Sequence, residues 1–128
     1  MNTLNTILVI DDDASTRMLL EAILEESGYD VRLADNGQKG IDEYCSSPTD
    51  LIITDLMMPE KNGLEMLLEL RRSHPQVRIG CISVGTESYK KQFLPMVERL
   101  GASFVLSKPI EPKELLELVE TALNAPPE

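Results

Sequence analysis

The sequence predicts an α/β fold in which one five-stranded parallel sheet is covered on both faces by five helices, and three observations predict it. Five short apolar runs recur along the chain, at Ile7-Leu8-Val9-Ile10, Val31-Arg32-Leu33, Leu51-Ile52-Ile53, 77–82 and Phe104-Val105-Leu106. Segments with helical spacing lie between and after them, and near-continuous apolar strands alternating with helices imply a parallel sheet buried on both sides. With 128 residues, 42% of them hydrophobic, the chain has the size of one domain and enough apolar mass to fill a core.

Each element has a local reason. The run at 7–10 leads into a helix whose apolar residues Leu20, Ile23 and Leu24 recur at helical spacing, and Ser27-Gly28 ends it with a residue suited to a left-handed cap. After the second run, Asn36-Gly37 can open the second helix, because an Asn side chain accepts from free N–H groups of a first turn. The fourth helical segment, 86–99, contains Pro95, which removes a backbone donor and predicts irregular backbone there. Glu111-Pro112 opens the last helix, since proline is pre-organised for a first helical position. Leu115, Leu118, Val119 and Ala122 give that helix its apolar stripe, with Glu117 and Glu120 on a solvated face. The expected domain spans 1–124, and residues 125–128, Ala-Pro-Pro-Glu, form a tail or the start of a linker.

Composition removes several function classes. Twelve Lys and Arg against 22 Asp and Glu give a net charge of −10, which excludes a direct nucleic-acid surface because phosphate binding requires a local excess of cations. No apolar run approaches the ~20 residues of a membrane span, and a basic stretch followed by a long apolar segment is missing from the first residues, so a cytoplasmic protein is expected. Cys45 and Cys81 have no Cys-x-x-Cys or Cys/His spacing and read as small core hydrophobes. His74, before Pro75, reads as an exposed cation at a helix end.

In an open parallel sheet, ligands bind beyond the carboxyl ends of the strands. Asp11, Asp12 and Asp13 follow the first run, Thr54 and Asp55 the third, Ser83 the fourth and Lys108 the fifth. A strand order of 2-1-3-4-5 makes strands one, three and four neighbours, so carboxylates, a hydroxyl and an ammonium converge at one edge. Clustered carboxylates raise one another's pKa unless a cation shares them, and a few hard oxygen ligands suit Mg2+. Ser83 and Lys108 then serve an anion bridging to that metal, a phosphoryl group above all, with one carboxylate as its covalent acceptor. Asp13 reads as a helix cap alone.

These motifs resemble a known family. Ile7-Leu8-Val9-Ile10-Asp11-Asp12, then Asp55-Leu56-Met57-Met58-Pro59 with Gly63, then Gly101-Ala102 ahead of Lys108-Pro109, are similar in order and spacing to the receiver domain of two-component response regulators. The resemblance covers residues 5 to 124. It implies the flavodoxin-like, doubly wound fold, Asp55 as phosphoacceptor, and Mg2+ held by Asp11, Asp12, Asp55 and the backbone carbonyl of Met57. It further implies Ser83 as the hydroxyl bonded to the phosphoryl group, Lys108 as its ammonium partner, and a cis bond between Lys108 and Pro109. A sensor histidine kinase or histidine phosphotransfer protein would be the donor and another protein or domain the output.

Three departures stand out: the segment from 83 to 108 is slightly long, Val84 replaces a small residue, and Val105 stands where the family has Tyr or Phe. Phe104 is adjacent but should face the opposite side of the sheet. Two other classes compete. Asp11-x-Asp13-x-Ser15 after an apolar strand suggests a phosphatase with an aspartyl nucleophile, although that leaves Asp55 and Lys108-Pro109 without a role. The fold could also serve as a phosphorylation-independent binding module.

Overall fold

A computed structural model describes residues 5–55, 63–83, 95, 97 and 101–125. Its elements run β1 (Thr6–Ile10), α1 (Ala14–Glu26), β2 (Asp30–Ala34), α2 (Gly37–Ser46), β3 (Leu51–Asp55), α3 (Gly63–Ser73), β4 (Ile79–Ser83), β5 (Phe104–Ser107) and α4 (Pro112–Asn124). All four strand pairings are parallel, in the order β2-β1-β3-β4-β5 expected from the sequence. The fourth strand starts and ends slightly later than its apolar run, at Ile79 and Ser83. Of the expected 86–99 helix only positions 95 and 97 are described, both helical, with Pro95 exposed and Val97 buried; the expected irregularity falls outside the described residues.

The two faces of the sheet build two cores. Ile7, Val9, Leu51, Ile53, Ile82, Phe104 and Leu106 pack on Leu20 and Leu24 of α1 and on Leu115, Val119 and Ala122 of α4. Leu8, Ile10, Ile52, Ile79 and Cys81 face Tyr44 of α2 and Leu67 and Leu70 of α3. Because successive strand side chains alternate, the unbroken apolar runs 7–10 of β1 and 51–53 of β3 can supply both layers. Each fully buried Leu or Ile contributes roughly 1.5–3 kcal/mol through removal from water.

Helix ends follow the sequence signals. At the end of α1, Gly28 adopts φ +95°, and its N–H donates to the Glu25 carbonyl while that of Tyr29 donates to the Leu24 carbonyl. This paired arrangement consumes carbonyls that a helix otherwise leaves bare. Asn36 caps α2 by accepting from the Lys39 N–H, and Glu111 caps α4 by accepting from Lys113 and Glu114.

Two glycines mark close approaches. A Cβ on Gly40 of α2 would lie 2.3 Å from Ile10 Cδ1, so α2 can sit this near β1 only without a side chain. Gly80 of β4 is in register with Phe104 of β5, and its absent Cβ is replaced by the Phe104 ring, which a Cβ would meet at 2.2 Å. Phe104 and Val105 do face opposite sides: Phe104 joins the α1/α4 core and Val105 packs against the α2/α3 core.

At the amino ends of the strands two arginines serve as ties. Arg71 Nη1 donates to the carbonyls of Pro75 and Val77, its Nη2 donates to that of Gly101, and Arg78 Nη2 donates to the Ala125 carbonyl at 2.7 Å.

Two sequence expectations fail here. Cys45 is exposed, because it lies on the outer side of the last turn of α2, while Cys81 is buried as expected. His74 is half-buried: its ring stands edge-on to that of Tyr44, with centroids 5.1 Å apart, and its Nε2 lies 3.7 Å from Cys45 Sγ. The packing of α3 beside α2 turns this residue inward, which its place next to Pro75 did not reveal.

Candidate functional site

The acidic edge is assembled by loops that leave the sheet in register. Asp11 follows β1 directly, and its N–H donates to the Ala34 carbonyl, extending the pairing with β2. The Asp13 side chain accepts from the Ser15 N–H and the Thr16 hydroxyl, which fixes the start of α1 and turns Asp13 away from the cluster. Those bonds, the Thr16 hydroxyl first, hold the Asp13 carboxyl below its ordinary value. The chain turn also brings the Asp13 N–H onto Asp11 Oδ1 at 2.9 Å, and Arg17 Nη1 onto the Asp11 carbonyl at 2.8 Å.

Asp11, Asp12 and Asp55 then each offer a carboxylate oxygen within 4.8 Å of one another. Asp11 and Asp55 are buried and Asp12 is exposed, so the cluster opens to solvent on one side. Lys108, one residue beyond β5, places Nζ 3.2 Å from Asp55 Oδ2 and 3.3 Å from Asp11 Oδ2. Its backbone N–H donates to the Ser83 carbonyl at 3.0 Å, tying the ends of β4 and β5, and the Lys108–Pro109 bond is cis as expected. Ser83 is buried at the end of β4, one step beyond Ile82, which pairs with Asp55. Met57 lies outside the described residues, as do Val84 and Gly85.

Charge accounting defines the chemistry of this edge. Three carboxylates against one ammonium leave two negative charges among these four residues. Burial pushes the Asp11 carboxyl up, the Asp13 N–H opposes that, and the nearby Asp55 charge adds to the rise. Burial alone would lower the Lys108 pKa, but the adjacent charges of Asp55 and Asp11 outweigh it and raise the value, so the ammonium stays protonated. Among the described residues Asp11 Oδ2 is buried with no aligned hydrogen bond, and its partner is the Lys108 ammonium at 3.3 Å. An unsatisfied buried carboxylate oxygen facing two further carboxylates fits a hard dication, whose charge would match the excess.

Among the described residues Arg17 also contributes to this edge, a role not expected from the sequence. A cation six positions after an acidic turn, on a helix that starts there, returns to the turn's backbone, and that spacing was the available signal.

Comparison with known proteins agrees with this geometry. The model of the response regulator receiver domain matches residues 7–120. The chain belongs to that family. It is a receiver, the phosphorylation-controlled switch of two-component signalling. The chemotaxis protein CheY of Bacillus subtilis is 32% identical over 92% of this chain and 97% of its own length. The DNA-binding transcriptional regulator NtrC of Azospirillum brasilense is 37% identical over 94% of this chain. The transcriptional regulatory protein CpxR of Escherichia coli K12 is 35% identical over the same share. This receiver spans 24% of NtrC and 50% of CpxR. Among solved structures, Vibrio cholerae CheY4 superposes with a TM-score of 0.84 at 27% identity, covering 94% of this receiver and 99% of that chain.

Proposed function

We propose that this receiver, residues 1–124 with 125–128 as tail or linker, accepts a phosphoryl group on Asp55 from a sensor histidine kinase or histidine phosphotransfer protein. The observation that carries the reading is Lys108 Nζ bridging the buried Asp55 and Asp11 carboxylates beside the exposed Asp12. An Asp55 carboxylate oxygen attacks phosphorus, the N–P bond of the donor breaks, and the donor imidazole leaves with the bonding pair. Asp11, Asp12, Asp55 and the Met57 carbonyl would hold Mg2+, which when bound neutralises charge on the phosphoryl oxygens. Lys108 brings a fixed ammonium to the same oxygens, and Ser83 donates its hydroxyl to one of them. The domain thus assists its own phosphorylation and dephosphorylation without turning over a separate substrate, acts in the cytoplasm, and passes its state to an output protein or domain. The phosphatase reading loses its motif, because Asp13 is occupied as a cap.

Intact mass after exposure to a small phosphodonor with Mg2+ tests the proposal. A gain of one phosphoryl group is expected; no gain would favour a phosphorylation-independent binding module.

In similar receivers the residues two beyond the acceptor and two beyond the switch hydroxyl help orient the attacking water; here they are Met57 and Gly85, neither of which has a polar side chain. Val84, next to the switch hydroxyl in sequence, is also apolar. Loss of one positioned polar group slows hydrolysis by roughly tenfold or more, so slow decay is expected. Met57→Asn should shorten the lifetime of the Asp55 phosphate; unchanged or slower decay would show that side-chain positioning of water does not set it.

A further inference from the structure

The three carboxylates of the acidic edge are held unequally. Asp11 Oδ1 accepts from the Asp13 N–H at 2.9 Å, and Asp55 Oδ2 accepts from Lys108 Nζ at 3.2 Å. Among the described residues no hydrogen bond or ion pair holds the exposed Asp12 carboxylate, yet one of its oxygens lies within 4.8 Å of oxygens on Asp11 and Asp55. Its placement has to come from the main chain.

Arg17 holds that stretch of main chain. Its Nη1 donates to the Asp11 carbonyl at 2.8 Å, and this carbonyl shares one planar unit with the N–H and Cα of Asp12. The Asp11 N–H donates to the Ala34 carbonyl at 3.1 Å, so Asp11 is pinned through both of its backbone polar groups. The other end of the clamp is fixed as well: the Arg17 N–H donates to the Asp13 carbonyl in the first turn of α1, whose start Asp13 caps through Ser15 and Thr16. With its Cα set by the helix and its guanidinium by a carbonyl six residues earlier, Arg17 keeps the 11–12 peptide from rotating unless that bond breaks.

Charge alone does not account for an arginine here. A guanidinium beside a cluster that would take a dication weakens the binding of that ion by repulsion. The charges that bear on the Asp11 carboxyl are those of Asp55 and Lys108, whereas Arg17 is directed at the backbone. Its benefit is therefore geometric. We propose that Arg17 is a positioning residue for the cation site: by fixing the 11–12 peptide it holds the Asp12 carboxylate in place beside those of Asp11 and Asp55. The inference rests on the reading of these three aspartates as the Mg2+ cluster, and adds to it a residue that acts through the main chain.

Binding of Mn2+, an oxygen-seeking substitute for Mg2+, to the full chain provides a test that involves no phosphorylation step. It is read from the electron paramagnetic resonance signal of the free ion and by competition with Mg2+. Arg17→Met and Arg17→Gln keep the helix propensity of the position and should each weaken Mn2+ binding by about tenfold, the scale on which groups that orient metal ligands act. A purely electrostatic role has the opposite sign, tighter binding once the cation is gone. Gly80→Ala, which loads the core away from the acidic edge, controls for general loosening and should leave Mn2+ affinity within about twofold of the parent. Unchanged or tighter binding by both Arg17 variants overturns the proposal, as does an equal loss in Gly80→Ala. A parent that binds no Mn2+ would overturn the Mg2+ reading itself, and the role of Arg17 with it.

Discussion

Asp55→Asn is expected to abolish acid-labile phosphorylation, with the rate falling by at least about 10^4-fold, the scale seen when a covalent nucleophile is removed. The residue is 3% exposed and the replacement is isosteric, so the loss should be chemical and not a failure to fold. Removing one of three clustered carboxylates also relieves repulsion that a single Lys108 ammonium leaves uncompensated. The variant should therefore unfold at a denaturant concentration no lower than the parent in metal-free buffer. Radiolabelling from a phosphodonor, followed by acid and base lability of the label, distinguishes acyl phosphate from a stable ester. Equal labelling of parent and variant would move the acceptor to another residue.

The second large effect concerns Gly80. An added methyl would meet three atoms of the Phe104 ring at 2.2, 2.4 and 2.6 Å, and that ring is 6% exposed in the α1/α4 core. Neither partner can withdraw easily: Gly80 is fixed by parallel pairing to β5, and the ring is surrounded by core side chains. Gly80→Ala should cost about 1–3 kcal/mol through overpacking, read as a lower denaturant midpoint with an unchanged slope. A second substitution, Phe104→Leu, should recover part of the loss, because it removes the atoms that clash. An unchanged midpoint for Gly80→Ala would show that the ring and β5 adjust without cost.

Much of this architecture was readable from periodicity because local and global preferences agree. Asn36-Gly37, Ser27-Gly28 and Glu111-Pro112 mark helix ends by mechanisms that need only neighbouring residues, and each is found at a helix end. The acidic edge was readable for a different reason: Asp11, Asp12, Asp55, Ser83 and Lys108 all follow apolar runs, and parallel strands send those positions to one side. What could not be read depends on helix–helix packing. Cys45 and His74 are 29 residues apart and meet only because α2 and α3 lie side by side, a relation no short spacing encodes. Likewise, Gly80 gave no sign of its partner until strand register set it opposite Phe104.

The arginine ties have a mechanical consequence. Arg78, immediately before β4, grips the carbonyl of Ala125 where α4 ends, while Ser83 closes the other end of β4 beside the Lys108 backbone. The strand is thus anchored at both ends, to the exit of the last helix at one pole and to the acidic edge at the other. A hydrogen-bonded strand resists stretching, so it behaves as a strut that carries displacement along its length without absorbing it. Tension applied to the chain at Ala125 would load the strand that carries Ser83, and a shift of Ser83 would be felt as a change in pull where the last helix ends.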